Sequence, residues 1–321
     1  MYRRSSTLTY QIADLGLGEG GYKSLFVDQS HVSAADSNPG TRGAPFLTIN
    51  GALAAATPMT NIYINGGNYN ENVVIPTDKI QLIGVARSGS NKVSICPSSG
   101  SPLTINGREC KVISLEVIAQ DNHAIVTAAA DIVLENLAIE INDNSCGVYA
   151  NNSNDLSIIG CTLNGNISGD SVGVFLGGTT TRTVVRGCHI GYFGSGATEG
   201  GILVGYGIAI ANTSTLAQII SNWIYECFEG IHVYSGGIAL KGHAILQNKL
   251  WCHSSIDIND LNDPSDSRIN IRGNSFLYST YLVDEDHDGI FDGSVACGLN
   301  YDFTASAHVF GSTPFVPRRV T

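Results

Sequence analysis

The chain has 321 residues with 17 basic and 28 acidic side chains, a formal net charge of −11, and this acidic balance disfavours nucleic-acid binding, which relies on Lys and Arg to neutralise phosphates. No apolar run reaches the roughly 20 residues that span a bilayer, so neither nucleic acid nor membrane is expected as a partner. The 37 glycines, two methionines and scarcity of Leu-, Glu- or Lys-rich runs argue against a helical protein and for short strands joined by tight turns.

In chain order, residues 1–24 are polar and glycine-rich, carry no repeat, and read as an arm outside the main body. Arg3 and Arg4 have no apolar segment behind them, so no leader peptide is expected. Residues 24–28 read as a strand and 36–46 as a turn-rich connection. Residues 48–56 have the alanines of a short helix, with Thr48 or Asn50 as its N-cap. Strands follow at 61–65, 73–75 and 80–84, with a turn at 66–72.

From residue 134 to 276 one phrase keeps returning: one or two aliphatics, then a small anchor. The anchors Asn136, Cys161, Cys188, Asn222, Asn248 and Asn274 are separated by 25, 27, 34, 26 and 26 residues. A second phrase runs in step, its second residues being Ile125, Val148, Val174, Ile208, Ile231 and Ile256. Both stretch at the same place, which marks a structural period with one insertion. Such a period fits three strands of four to six residues and three turns per rung. The second phrase then gives an inward aliphatic stack, and the anchors give a ladder of stacked amides and thiols. Cys227 and Cys252 are likewise about one rung apart. The cysteines read as small buried residues, with disulfides as the alternative.

The order of parts at 36–71 (Asp36-Ser-Asn-Pro-Gly-Thr, then Pro45-Phe-Leu-Thr-Ile49, a helix, a strand, and Gly66-Gly-Asn-Tyr-Asn-Glu71) resembles the opening of the right-handed parallel β-helix proteins of the pectate-lyase-like superfamily. The resemblance covers roughly residues 25–290. It implies an all-β chain: a single-stranded right-handed parallel β-helix over residues 25–293, with a short N-terminal capping helix. Residues 294–321 abandon the period and are expected to form an irregular C-terminal cap over the open last rung.

Several clusters carry potential chemistry. Asp284, Asp286, Asp288 and Asp292, with Gly289 for a tight turn and the Ile290 carbonyl, resemble the calcium loops of dockerin and thrombospondin type-3 repeats. Hard Ca²⁺ needs six or more oxygens, which this alternation can wrap around it. Val295 stands where such loops supply a bidentate acid, so the alternative is a solvated acidic turn. One rung earlier Asp257, Asp260, Asp263 and Asp266 read as further ligands, as paired carboxylates for glycoside hydrolysis, or as a solvent-facing edge. The long rung places its extra length at 191–206, where Tyr192, Phe193 and Tyr206 are candidates for contact with a sugar or a neighbouring subunit.

Because the superfamily includes polygalacturonases and lyases, their patterns matter. Gly242-His243 and Arg268-Ile-Asn270 echo the polygalacturonase pattern, but its Asn-Thr-Asp and Asp-Asp elements are absent. Arg186 and Arg272 lack the acid cluster that accompanies a lyase base. His189, His232 and His243 read as outward strand residues. No catalytic residue is assigned. The expectation is a structural or binding component of a virus particle, such as a bacteriophage capsid decoration, head fibre or tail spike. By that architectural analogy it is anchored to other virion proteins through residues 1–24, is a homo-oligomer and most simply a trimer, meets a surface glycan, and is assembled in the host cytoplasm. The alternatives are a polysaccharide lyase or glycoside hydrolase on the same fold, and a surface adhesin exported without a leader.

Overall fold

The computed structural model describes residues 21–85, 92–142, 144–166, 171–194, 205–211, 213–235, 242–252, 254–260, 270–276, 281–285, 296–297 and 301–302. The chain visits three parallel sheets in rotation, which contain 11, nine and ten strands among these residues. One rung shows the pattern: Val184–Arg186 lies in the first sheet, His189–Gly191 in the third, Tyr206–Ile210 in the second, and Gln218–Ile220 returns to the first. This is a right-handed parallel β-helix, with almost no helical structure.

Most first-sheet strands are three residues long and bury their middle side chain, whereas the three-residue strands Leu103–Ile105 and Ile125–Thr127 of the second sheet bury the two flanking ones. In the first sheet Leu134, Ile158, Val185, Ile219, Ile245 and Ile271 stack in register and are fully buried. In the second sheet the same holds for Ile125, Val148, Val174, Ile208, Ile231 and Ile256. In the third, Ile139, Leu163, Ile190, Ile224 and Leu250 close the triangle. Each such side chain contributes about 1.5–3 kcal/mol of burial free energy, and the repeat lets every rung form its neighbour's floor.

The turn from the first sheet to the third is made by one left-handed residue and one buried residue. The left-handed positions are Ser114, Asn136, Gly160, Gly187, Ser221, Gln247 and Gly273, with φ between 54° and 67°. After them come Leu115, Leu137, Cys161, Cys188, Asn222, Asn248 and Asn274, all buried. This shifts one anchor. Asn136 is not in the ladder; it takes the left-handed turn position, where asparagine is tolerated, and its amide donates to Ser114 Oγ at 3.0 Å. Leu137 holds the ladder place.

The polar part of the ladder is complete. Asn222 Nδ2 donates to Asn248 Oδ1 at 3.0 Å and to the Val185 carbonyl at 2.9 Å. Asn248 repeats this one rung on, to Asn274 Oδ1 at 3.0 Å and the Ile219 carbonyl at 2.9 Å. The backbone N–H groups of Cys188, Asn222 and Asn248 each donate to the amide oxygen of the next rung at 2.9 Å. Cys161 and Cys188 sit in the same column, both buried and both free thiols.

At the front, the helix Ile49–Ala54 covers the first rung, with Thr48 as N-cap accepting from the Gly51 N–H. The Glu71 carboxylate accepts from the Ile49 and Asn50 N–H groups, while Asp36 holds the Leu47 and Thr48 N–H groups. The free edge of the first strand, Lys23–Val27, is covered by the 40–46 connection through Phe26 and Phe46. The first strand therefore begins inside the span read as an arm, and residues 1–20 lie outside the described residues. At the far end the period continues past 294: Ala296–Cys297 pairs in parallel with Asn270–Arg272, and Tyr301–Asp302 with Ser275–Phe276. Within the span expected to form an irregular cap, 294–321, these two short strands are described, and residues 303–321 lie outside the described residues.

Candidate functional site

The ladder fixes which side chains leave the solenoid. In Trp223–Tyr225 and Lys249–Trp251 the middle residues Ile224 and Leu250 point inward, so the alternation of a strand turns Trp223, Tyr225, Lys249 and Trp251 outward. Register aligns them: His189, Trp223 and Lys249 form one outward column of the third sheet, and Gly191, Tyr225 and Trp251 the next.

Together they make an aromatic ledge. Trp223 is 41% and Trp251 40% exposed. The Trp223 ring lies 5.1 Å from Tyr225 and meets His189 edge-on at 5.3 Å. Gly191 provides the seat for Tyr225: a Cβ there would stand 2.4 Å from the ring, so only glycine lets the ring lie flat over that rung. Burial pushes the Tyr225 hydroxyl above its ordinary pKa.

Tyr192 joins the ledge at its corner with the second sheet. It takes a left-handed conformation (φ 64°), is 38% exposed, and meets Tyr225 edge-on at 5.3 Å. It also lines an open cleft of about 420 Å³ with Ile141, Asn142, Gly165 and Asn166. The asparagines are steadied along the rungs, Asn142 Nδ2 donating to Gln120 Oε1 at 3.2 Å and Asn166 Nδ2 to the Asn142 carbonyl at 3.1 Å.

Of the three aromatics expected to make a binding surface, only Tyr192 is there. Phe193 is fully buried, filling space left by Gly165 and Gly173, whose added Cβ atoms would stand 2.5 and 3.1 Å from its ring. Tyr206 is 7% exposed and packs on His232, ring centroids 4.6 Å apart. Trp223, Tyr225 and Trp251 were not singled out from the sequence. Their signal is aromatic residues on both sides of one inward aliphatic, one repeat apart.

The histidines divide. His189 is outward and exposed, as expected. His232 and His243 are buried, at 3% and 1% exposure. His243 occupies a turn before the first sheet, its Nδ1 accepting from the Ala217 N–H at 3.1 Å, and burial lowers its pKa to about 4. His232 lies on the second sheet, its Nδ1 2.6 Å from Glu229 Oε2 and its ring packed by Tyr206 and Tyr234. The next positions of that column are Asp257 and then Asp284. The acids of neighbouring rungs are thus adjacent in backbone register.

The proposed calcium loop is reached only at its start. Asp284 belongs to the strand Tyr281–Glu285, while Asp286, Asp288, Ile290 and Asp292 lie outside the described residues. Among the described residues no group of three or more His, Cys, Asp or Glu side chains is placed to hold a metal ion.

No protein-family model matches the chain, and no curated protein sequence matches it. Solved structures do match in shape. Pectate lyase Pel9A superimposes with a TM-score of 0.61 at 13% identity, covering 89% of this chain and 82% of that one. The GH136 lacto-N-biosidase from Eubacterium ramulus gives 0.54 at 11%, covering 88% and 68%. A pectin methylesterase in complex with a hexasaccharide gives 0.51 at 14%, covering 88% and 90%. At these identities the likeness is one of fold.

Proposed function

We propose that this protein is a carbohydrate-binding β-helix whose contact surface is the aromatic ledge of the third sheet. The observation that carries this reading is the set of exposed rings Tyr192, Trp223 and Trp251 around Tyr225, Trp251 in register with it and the other two in ring contact with it. A sugar ring has an apolar face of C–H groups and a rim of hydroxyls. Flat aromatic side chains cover the former, and Asn142, Asn166 and Lys249 can hydrogen-bond the latter. The fold neighbours add support, since they are carbohydrate-active enzymes.

Binding without an assigned catalytic step remains the primary reading. A second reading, cleavage or de-esterification of a glycan, draws on the Glu229–His232 pair and the Asp257 and Asp284 positions beside it. The expected place in a virus particle, with anchoring by the N-terminal arm, a trimeric state and calcium, draws support from neither the fold nor its neighbours.

The two tryptophans are the only two in the sequence, and both lie on the ledge. Intrinsic tryptophan emission therefore reports on this surface alone. Titration with oligosaccharides of galacturonic acid, glucose and N-acetylglucosamine should shift or quench that emission. Trp223→Ala should weaken the response about thirtyfold, the loss typical of an aromatic anchor. A glycan that binds without changing the emission of either tryptophan would sink this assignment. Release of new reducing ends or acid from those glycans would favour the enzymatic reading.

A further inference from the structure

The ledge and the cleft lie on consecutive rungs, and this order restricts the ligand. Asn142 follows the strand Ala138–Ile141, Asn166 follows Thr162–Asn164, and Tyr192 follows His189–Gly191. Tyr225 and Trp251 then end the two strands after that, each paired in parallel with the one before. Five rungs are involved, and four strand spacings make about 19 Å along the solenoid axis. Contacts tie the two halves together, because Tyr192 both lines the cleft and meets Tyr225.

We infer that cleft and ledge form one track for a linear oligosaccharide that lies along the solenoid axis, about one sugar ring per rung. This rests on the glycan reading above and makes it more specific. An extended chain of six-membered rings advances by about the same step per ring as one strand spacing, so one chain can meet equivalent positions on successive rungs. A single sugar or a compact branched glycan would use only one or two of them. Along this face Thr162 and Asn164 are small residues on the rung of Asn166, His189 stands outward on the next rung, and Gly191 lies beneath the Tyr225 ring. Rings that can serve as stacking surfaces stand at Tyr192, His189, Trp223, Tyr225 and Trp251.

The test measures tryptophan emission and calorimetric affinity for single sugars through hexamers, in the glycan series that binds best, on the full chain. The track requires affinity to rise with each added ring and to level off near the pentamer. Tyr192→Ala, at the cleft end, should cost about tenfold for the pentamer and less for a disaccharide, which reaches fewer of the rungs. Equal affinity for disaccharide and hexamer, with normal quenching, would overturn the track while leaving glycan binding in place. No response to any length in any series would instead remove the glycan reading itself. An emission change that follows protein concentration without sugar would identify the ledge as a contact between copies of the chain, and would overturn both.

Discussion

The residues that hold the solenoid together and those that form its ledge stand side by side in the sequence. Asn222 precedes Trp223, Asn248 precedes Lys249, and Cys188 precedes His189. The first of each pair is buried in the ladder and the second is exposed. One step along the chain carries the side chain from the interior to the outer surface, and with it changes what selects the residue. An inner side chain must fit the same residue on the rungs above and below, so it repeats as Asn222, Asn248 and Asn274. An outer one answers only to solvent and ligand, and the column runs Thr162, His189, Trp223, Lys249. Uniformity marks the scaffold here, and departure from it marks the working surface.

That contrast can be broken from either side. The largest effect should come from the ladder. Asn248→Ala leaves the Asn222 N–H and Nδ2, the Ile219 carbonyl and Asn274 Oδ1 without this partner. Buried groups left unsatisfied cost about 1–3 kcal/mol each, so chemical denaturation should show a loss of about 3 kcal/mol or more. Glycan affinity of the folded fraction should be unchanged; a loss below 1 kcal/mol would show that the ladder is dispensable.

Next is the buried imidazole of His243, whose pKa falls from 6.5 to about 4 in the fold. Between those values the unfolded chain takes up a proton that the folded chain refuses, so acid favours unfolding. Its contribution is complete above pH 6.5 and is lost as pH falls toward 4. At 1.36 kcal/mol per pH unit the loss between pH 7 and pH 5 is about 2 kcal/mol. His243→Asn, whose amide oxygen can still accept from the Ala217 N–H, should flatten that part of the profile. An unchanged slope in the variant would assign the acid sensitivity to other groups.

Gly191→Val tests the seam between the two regions. Its added carbon would meet the Tyr225 ring, displacing it at a cost of about 1–3 kcal/mol and weakening glycan binding together with stability. Retained affinity would mean that the position of Tyr225 does not matter. The smallest stability change belongs to the ledge. Trp251→Ala should alter unfolding by no more than about 0.5 kcal/mol while lowering affinity for the longer oligosaccharides. A large destabilisation would make Trp251 part of the scaffold instead.

Much of this architecture can be read directly from residue order. Two phrases stretching together identify a solenoid, its inward stack from Ile125 to Ile256, and the long rung. The alanines and Thr48 locate the capping helix, because capping and propensity are local. The anchor at Asn136 misleads by one place, since an asparagine can serve either as a buried amide or as a left-handed turn residue, and only strand pairing separates the two. His232 and Phe193 mislead for a related reason: their burial depends on Tyr206, Tyr234, Gly165 and Gly173, which belong largely to other rungs.

The sequence by itself thus determined the period, the three-sheet solenoid and the polar ladder, because these repeat and a repeat is visible along one dimension. The tertiary structure decided which non-repeating residues meet: Tyr192 with Tyr225, Tyr225 with Gly191, Trp223 with His189, Glu229 with His232. Most of these pairs span neighbouring rungs, tens of residues apart in the chain but only one strand spacing apart in space. Register alone brings them together, and the surface proposed to bind the glycan exists only once it is set.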